Sequence, residues 1–213
     1  MSSDHGENQG ERNVWGDHQT ADALTCHIPL LIRWPGLPGG RVDRGLHYHY
    51  DWAATLIELL GGGVPDGWDG RSFAAAFREG REAGRPYVVT SQGAWACQRG
   101  VRFDDYLCLR SYHDGYKEVE PIMLFDLAAD PHEERDLAAE RPAVVEHALA
   151  LQAEWLDAMA ATSTTAIDPL RTVMLEGGPF HCRGRLPAYL TRLRATGRGA
   201  HADRLAARHP GEA

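Results

Sequence analysis

The sequence predicts an α/β fold in which part of a larger α/β layer is followed by a small antiparallel sheet packed on a helix. Three observations lead to this fold class. A short apolar run and a capped helix occur in the first third of the chain, four segments with β character occupy the middle, and an amphipathic helix follows them.

The first predicted elements are a strand and a helix. Residues 28–34, IPLLIRW, form a continuous apolar run that a Pro-Gly pair closes, which is typical of a buried parallel strand. Asp51 is suited to cap the helix that follows, and three glycines at 61–63 end it. The apolar residues of this helix recur at helical spacing: Trp52, Leu56, Leu59 and Leu60.

From Pro86 onward the chain consists of short segments rich in β-forming residues, with turn residues between them. These segments are PYVVTS, AWACQRGVRF, DYLCLRSY and PIMLFDL, and they predict a small antiparallel sheet. A helix with Pro142 in its first turn follows and can cover one face of the sheet. Its apolar residues lie on one stripe: Val145, Leu149, Leu156 and Met159.

These patterns divide the chain into three parts. Residues 1–85 are predicted to be the remnant of a large α/β domain, and residues 86–162 the small sheet with its helix. Residues 163–213 are predicted to be a C-terminal tail with short helices, because a linker-like segment and a loop rich in Gly and Pro precede the helical pattern LPAYLTRLRATG.

The composition excludes several classes of protein. The chain of 213 residues is 43% hydrophobic and 24% charged, which is enough for a globular core. A net charge of −8 and a pI near 5.7 argue against nucleic acid or an anionic membrane as a partner. No apolar run is long enough to span a bilayer, and no signal-peptide segment follows Met1, so a cytoplasmic location is expected if Met1 is the true start.

The segment SDHGE near the start of the chain has the chemistry of a metal site. Asp4 offers a hard oxygen ligand and His5 an imidazole, while Gly6 allows the backbone to turn so that both face one point. Residue types alone leave a second interpretation open, in which the pair belongs to a solvated terminus.

Several motifs in a common order resemble the C-terminal half of a sulfatase, a member of the alkaline phosphatase superfamily. They are SDHGE at 3–7, VWGDHQTAD at 14–22 leading into HIPLLIRWPG at 27–36, the Asp51 helix ending in LLGGG, VPDGWDGRSF at 64–73, and MLFDLAADPHEERDLA at 123–138. Each motif is weak alone, but coincidence does not explain their order over most of the chain. The resemblance implies a truncated sulfatase-like (alkaline phosphatase-like) fold.

The resemblance also implies a hydrolase of sulfate esters. In this family a divalent cation, most often calcium, holds the anionic group while a formylglycine hydrate made from Cys or Ser attacks sulfur. By the SDHG match, Asp4 and His5 correspond to two metal-site residues of the family. The implied substrate is a small-molecule or saccharide sulfate ester. Some branches of the superfamily hydrolyse phosphate or phosphonate esters, which is the alternative activity.

The formylglycine signature of the family is missing from these residues. It requires a Cys or Ser with Pro and Arg at fixed spacing, and the nearest match, CHIPLLIR, places Pro three residues after Cys26, which is one too many. Calcium is therefore expected only in the complete enzyme, and this chain is expected to be a C-terminal fragment that is inactive alone. The expected protein partner is an N-terminal half on another chain or a second copy of this chain. Besides the sulfate ester hydrolase and the phosphate or phosphonate ester hydrolase, the third hypothesis is a free-standing noncatalytic half.

The family lysine about a dozen residues after the Asp-His pair is also missing. The sequence reads WGDHQTAD there, which leaves Asp17 or His18 near that position, and Lys117 lies far along the chain in the predicted sheet. A protonated His18 can make a similar charge-assisted hydrogen bond and can give a proton to the leaving oxygen. We therefore predict a catalytic role for His18, with a loop-capping role as the alternative.

A second set of candidate residues lies in the tail. The stretch PFHCRG at 179–184 sits in a loop rich in Gly and Pro, where His181 and Arg183 are predicted to bind an anionic substrate in the complete enzyme. The His-X-His pattern of HYHYD at 47–51 is interpreted as packing rather than as a metal motif, because the family has only a strand and a helix cap at this place.

Overall fold

A computed structural model describes residues 1–81 and 84–212. The strands are β1 (Asn8–Gln9), β2 (Trp15–Asp17), β3 (Tyr87–Gln92), β4 (Cys97–Phe103), β5 (Tyr106–His113) and β6 (Ile122–Asp126). The α-helices are α1 (Ala23–Cys26), α2 (Asp51–Leu59), α3 (Ala74–Glu79), α4 (Pro142–Thr162), α5 (Pro169–Leu175), α6 (Leu186–Ala195) and α7 (Gly199–Arg208). Within the described ranges, no helix has the length and apolar character needed to cross a bilayer.

The chain divides into two compact units. One consists of Met1–Ser3 and Pro29–Val88, and the other of Asp4–Ile28 and the chain from Val89 onward. The segment with the Asp-His pair thus belongs to the same unit as most of the small sheet. The division at residues 85 and 162 that the sequence suggests stays a prediction.

Most of the predicted antiparallel sheet lies in the second unit. Its strand order is β3-β4-β5-β6, so each strand pairs with the next one along the chain, and all four predicted segments are confirmed. Strands β4 and β5 pair from Cys97 opposite His113 to Phe103 opposite Tyr106. Side chains two residues apart share a face of a strand, so Leu107 and Leu109 of β5 lie in one core cluster with Met123 and Phe125 of β6. This cluster contains Ala21, Leu107, Leu109, Val119, Met123 and Phe125.

Helix α4 begins at Pro142 as predicted and packs against β4. The four predicted stripe residues are half-buried, and between them Ala148 and Gln152 are fully buried. The side-chain oxygen of Gln152 accepts hydrogen bonds from Arg110 (3.3 Å) and from the Tyr112 hydroxyl (3.5 Å) on β5. The helix therefore covers the sheet through polar contacts as well as apolar ones. The tail helix predicted from LPAYLTRLRATG is α6.

The strand predicted over residues 28–34 is wrong. This stretch forms only an isolated bridge between Ser2 and Leu30, and Leu31 is 60% exposed. A parallel strand needs neighbouring strands to satisfy its backbone groups. Here the Leu31 amide donates to the Met1 carbonyl at 2.8 Å, and the rest of the run has irregular backbone. An apolar run alone therefore did not distinguish a strand from an extended loop.

Asp51 does not cap α2 but is a buried centre of hydrogen bonds in the first unit. Tyr50 is the capping residue, and the Asp51 carboxylate accepts the amides of Tyr48 and Arg71, both at 2.8 Å. It also pairs with Arg85 Nη2 at 2.5 Å. The face of α2 that is fully buried consists of Asp51, Ala54 and Thr55, whereas Leu60 of the predicted apolar stripe is 71% exposed.

We expect Asp51→Asn to lower the free energy of unfolding of this unit by about 2–3 kcal/mol, because Arg85 loses its buried charged partner but keeps the Asp69 carbonyl at 2.9 Å. Hydrogen exchange of peptides from α2 measures the change. Asp66→Asn removes the same charge from an exposed side chain and should change protection by less than about 0.5 kcal/mol. Unaltered protection of α2 in Asp51→Asn would contradict this role.

Candidate active site

A buried polar network holds the segment that carries Asp4 and His5. The Asn8 amide nitrogen donates to Asp22 Oδ2 at 3.0 Å and to the Thr20 hydroxyl at 3.2 Å. The Thr25 hydroxyl donates to the Asn8 side-chain oxygen at 3.2 Å, and Asp22 caps α1 by accepting the Thr25 amide at 2.9 Å. All four side chains are buried and hydrogen-bonded, so the network restricts the backbone that follows the Asp-His pair.

Gly6 is required by a close approach of two backbone segments. Its amide donates to the Thr25 carbonyl at 2.8 Å. A Cβ atom at position 6 would lie 1.9 Å from the Leu24 carbonyl oxygen, closer than any side chain permits. The sequence indicated a glycine for a sharp turn; the structure shows that space is the stronger reason.

His5, Glu7 and His18 form a cluster at the surface of this unit. The two imidazole rings stack with centroids 3.8 Å apart, and one ligand atom from each of the three side chains lies within 4.8 Å of the other two. His18 Nδ1 is 3.4 Å from Glu7 Oε1 and 3.5 Å from Asp17 Oδ1. The fold thus brings residues from two separate motifs, SDHGE and WGDHQ, to one place.

The proton of His5 is positioned by the backbone. Its Nδ1 lies 2.9 Å from the Gly6 carbonyl, which can only accept, so Nδ1 carries the hydrogen and the neutral ring has its lone pair on Nε2. Asp4 Oδ2 is 3.8 Å from this Nε2 atom. The Gly6 carbonyl and then the nearby carboxylates raise the pKa of His5, while backbone amides hold the pKa of the exposed Asp4 below its usual value.

Asp17 and Gln92 hold His18 in place. The Asp17 carboxylate accepts the His18 amide at 2.8 Å and the Gln19 side chain at 2.5 Å. Although partial burial opposes ionisation, these hydrogen bonds lower the pKa of Asp17. Gln92, at the end of β3, donates to the His18 carbonyl at 3.1 Å.

The sequence did not indicate Glu7 and Gln92 as parts of this site. Glu7 was accessible to sequence reasoning, because a residue two positions after His5 in extended backbone faces the same side. Gln92 carried no such signal, since its contact with His18 spans 74 residues.

The two candidate residues of the tail have different surroundings. His181 stacks on Trp95 with ring centroids 4.0 Å apart, and its amide donates to the Ala94 carbonyl at 3.0 Å. Arg183 pairs with Glu176 at 3.1 Å and donates to the Gly178 carbonyl at 3.3 Å. His181 thus lies beside the strand end that contacts His18, while the guanidinium of Arg183 is engaged by its own loop. Their role in binding substrate stays a prediction.

A buried ion pair joins the segment from β1 to α1 to a turn that follows the small sheet. Arg12, between β1 and β2, pairs with the Glu133 carboxylate and donates to the Glu133 carbonyl at 2.7 Å. The same carboxylate accepts the Ala23 amide at the start of α1 at 2.9 Å. Glu133 belongs to the DPHEERDLA turn and its side chain is fully buried. This turn therefore connects the small sheet to the segment that carries His18.

A second cluster of titratable residues lies at the end of the tail. His113 Nε2 is 3.0 Å from Glu212 Oε1, and His209 lies 3.1 Å from the same oxygen and 3.0 Å from Asp114 Oδ1. The Tyr116 hydroxyl lies 2.7 Å from the other Glu212 oxygen. These contacts tie the residues after α7 to the end of β5.

His113, His209 and Glu212 of this second cluster are residue types that bind zinc, but His113 has a tautomer that does not allow a metal at its Nε2 atom. The Gly115 amide donates to His113 Nδ1 at 3.0 Å, so the hydrogen of the neutral ring lies on Nε2 and points to Glu212. A metal bound at Nε2 needs the opposite tautomer, with Nδ1 as the donor. The cluster is therefore a hydrogen-bond network that anchors the tail.

The network predicts that acid destabilises this unit. Burial lowers the pKa of His113, and the surrounding donors lower the pKa of Glu212 although burial opposes this. The unfolded chain therefore binds a proton at His113 from about pH 6.5 downward, before the folded protein does. The free energy of unfolding should fall with acidification below pH 6.5 by at most about 1.4 kcal/mol per pH unit for this proton.

Denaturant unfolding between pH 5 and 8 tests this expectation. His113→Gln should flatten the dependence between pH 5 and 6.5, while His27→Gln, which changes an exposed histidine of the same unit, should leave it intact. A profile that His113→Gln leaves unchanged would show that another group is responsible.

Comparisons with known proteins identify the family. Residues 10–158 match the family model described as N-sulphoglucosamine sulphohydrolase, C-terminal. The chain is 31% identical over 155 residues to the multifunctional alkaline phosphatase superfamily protein PehA of Trinickia caryophylli, covering 66% of this chain and 30% of that protein. It is 28% identical over 154 residues to an endo-4-O-sulfatase of Bacteroides thetaiotaomicron, covering 64% of this chain and 30% of that protein.

The fold agrees with that of a solved structure. BT4656, determined in complex with its substrate D-glucosamine-2-N,6-O-disulfate, superimposes with a TM-score of 0.63 at 21% identity, covering 73% of this chain and 33% of that chain. The chain thus spans about a third of the length of the proteins it matches. The family match covers well over half of the chain, from β2 through most of α4. The chain belongs to the sulfatase family described as N-sulphoglucosamine sulphohydrolase, C-terminal.

Proposed function

We propose that this chain is the C-terminal part of a hydrolase of sulfate esters and that the His5–His18 cluster is its share of the active site. The observation that carries the proposal is the stacking of His5 on His18 at 3.8 Å, which joins the Asp-His pair to the residue predicted to act on the leaving group. The sulfatases among the matched proteins support the choice of sulfate esters, and saccharide sulfates are the proposed substrate class.

A divalent cation fits the donors at this site. Asp4, Glu7 and Asp17 offer carboxylate oxygens, and His5 offers the lone pair of Nε2, which lies 3.8 Å from Asp4 Oδ2; Asp4 and His5 would hold the ion. Calcium prefers six to eight oxygen ligands, so these residues supply only part of its coordination shell. When bound, the ion supplies positive charge to the nonbridging oxygens of the ester.

The residues of the chain have separate tasks in this proposal. Asp4 and His5 hold the cation, and Glu7 orients the His18 ring through Nδ1 at 3.4 Å. His18 Nε2 is then the atom that holds a proton and transfers it to the leaving oxygen. His181 and Arg183 are proposed to contact the anionic substrate from the tail.

Two other functions remain in competition. PehA is described as a multifunctional member of the alkaline phosphatase superfamily, which favours a phosphate or phosphonate ester hydrolase as the alternative. The other candidate is a half that acts with another chain, which would have to supply the formylglycine signature missing from these 213 residues. Copurification of a second polypeptide from the native source would support the latter.

Turnover of paired substrates tests the proposal. The product of the native gene should hydrolyse 4-nitrophenyl sulfate faster than 4-nitrophenyl phosphate or a phosphonate monoester, and the purified 213-residue chain should hydrolyse none of them. Faster phosphate or phosphonate turnover would favour the alternative activity. Activity of the purified 213-residue chain would refute the assignment of an inactive fragment.

A further inference from the structure

Three aromatic rings cluster next to the end of β3: Trp95 and His181 are half-buried, and Phe180 is exposed. Trp95 and His181 stack with an interplanar angle of 15°, and Phe180 meets His181 edge-on with centroids 5.1 Å apart. Phe180 is 71% exposed. Exposed apolar rings rimmed by polar groups are typical of ligand-binding surfaces.

The only lysine of the chain lies near the backbone of Trp95. The Lys117 Nζ atom donates to the Gly115 carbonyl at 3.4 Å. A Cβ atom on Gly115 would lie 2.5 Å from the Trp95 carbonyl oxygen and 2.8 Å from Lys117 Nζ, so both groups border this glycine. Cys182, next to His181, donates its thiol to the same Trp95 carbonyl at 3.1 Å.

The charge of Lys117 is not neutralised by a neighbouring carboxylate. In the described part of the chain, no carboxylate oxygen lies within 4.0 Å of its Nζ atom. Burial lowers the pKa of Lys117, and the charges of Cys182, Asp114 and Asp17 oppose this effect. A partly desolvated ammonium without a paired anion is unfavourable, and an anionic ligand would stabilise it.

This cluster adjoins the proposed active site. The Gln92 side chain donates to the His18 carbonyl and accepts the amides of Gly93 and Ala94, both at 2.9 Å. The Ala94 carbonyl then accepts the amide of His181 at 3.0 Å. One short loop therefore connects the residue proposed as the acid to the aromatic rings.

We propose that Lys117, Trp95, Phe180 and His181 form a binding site for an anionic sugar ring. The aromatic side chains contact its carbon face, and the ammonium of Lys117 binds a sulfate or carboxylate group that the ring carries. The inference rests on the proposed function, because the site borders the one assigned to the ester. It adds a substrate subsite to which the tail contributes Phe180 and His181. These residues lie beyond the residues that the family model matches.

Selective labelling tests the site without turnover. In the 213-residue chain labelled with 13C-lysine, Lys117 gives a single Hε–Cε correlation by NMR, since no other lysine is present. Glucosamine 6-sulfate should shift this signal saturably, and bound anion should raise the pH at which the signal titrates. Glucuronic acid distinguishes a carboxylate from a sulfate, and unsulfated glucosamine should bind at least about tenfold more weakly. An unshifted signal with both anionic sugars would overturn the proposal.

Two comparisons separate a sugar site from simple anion binding. Inorganic sulfate should bind at least about tenfold more weakly than glucosamine 6-sulfate, because it makes no ring contacts. Equal affinity would mean an anion site only and would contradict the role of the aromatic rings. Phe180→Ala should weaken glucosamine 6-sulfate but not inorganic sulfate.

Charge variants complete the test. Lys117→Gln should weaken glucosamine 6-sulfate binding by about tenfold or more, as measured by calorimetry. Arg192→Gln, which removes one positive charge from an exposed position of α6, should leave it unchanged. If Lys117→Gln does not fold, the NMR titration of the labelled wild-type chain still tests whether Lys117 binds the anionic sugar.

Binding without sulfatase activity of the native gene product would contradict the proposed function alone, and activity without binding would contradict only this inference.

Discussion

His18→Gln is expected to lower kcat for sulfate ester hydrolysis by about 10²–10⁴-fold in the product of the native gene, the usual contribution of a positioned general acid. Glutamine keeps a hydrogen-bonding side chain of similar length but holds no proton that it can transfer. The stacking of His5 on the ring at 3.8 Å is lost as well. Steady-state kinetics measure the change.

The leaving group distinguishes an acid from a structural residue. A good leaving group such as 4-nitrophenol needs little protonation, so its ester should lose less activity in His18→Gln than an ester of an alkyl or sugar hydroxyl. His27→Gln changes an exposed histidine at the end of α1 and should leave both rates unchanged. Equal losses of activity for the two leaving groups would show that His18 positions other groups and does not act as the acid.

Glu133→Gln is expected to lower the free energy of unfolding by about 3–5 kcal/mol, the usual cost of removing one member of a buried ion pair. Arg12 would keep its charge with only 8% of its side chain exposed, while the glutamine still accepts the Ala23 amide. Denaturant unfolding followed by circular dichroism measures the loss. Hydrogen exchange should show it in the segment from β1 to α1.

The neighbouring residue provides a matched control. Glu134→Gln removes the same charge from an exposed side chain and should change stability by less than about 0.5 kcal/mol. Arg12→Met combined with Glu133→Leu removes both charges and should recover part of the loss. If Glu133→Gln alone has no effect, the ion pair does not hold the segment that carries His18.

The sequence was sufficient for the parts of the fold that depend on neighbours along the chain. Segments rich in β-forming residues, with turn residues between them, predicted β3 to β6. Pro142 and the apolar stripe that follows it predicted α4. Local patterns work here because each strand pairs with the next one and α4 has its own periodicity. The order of the motifs also indicated the family, which the match over residues 10–158 confirms.

Local patterns failed where burial depends on distant partners. The apolar run at 28–34 has the composition of a buried strand, yet its backbone pairs with Met1 and Ser2 and, at Trp34, with the nearby Leu37 amide rather than with a neighbouring strand. Asp51 has the residue type of a helix cap, yet Arg85 and two amides make it a buried ion-pair residue. In both cases a contact from another part of the chain changes the energy of the local conformation.

The sequence by itself determined the chemistry available at the site: an Asp-His pair, a second histidine in WGDHQ, and one lysine far along the chain. Only the tertiary structure decided which of these groups meet. It stacks His5 on His18, connects His18 through Gln92 to the loop that contacts His181, and brings the Lys117 ammonium near the Trp95 backbone. The physical reason is that residue types and their spacing describe local preferences, whereas these contacts arise from packing between segments separated by up to about 90 residues.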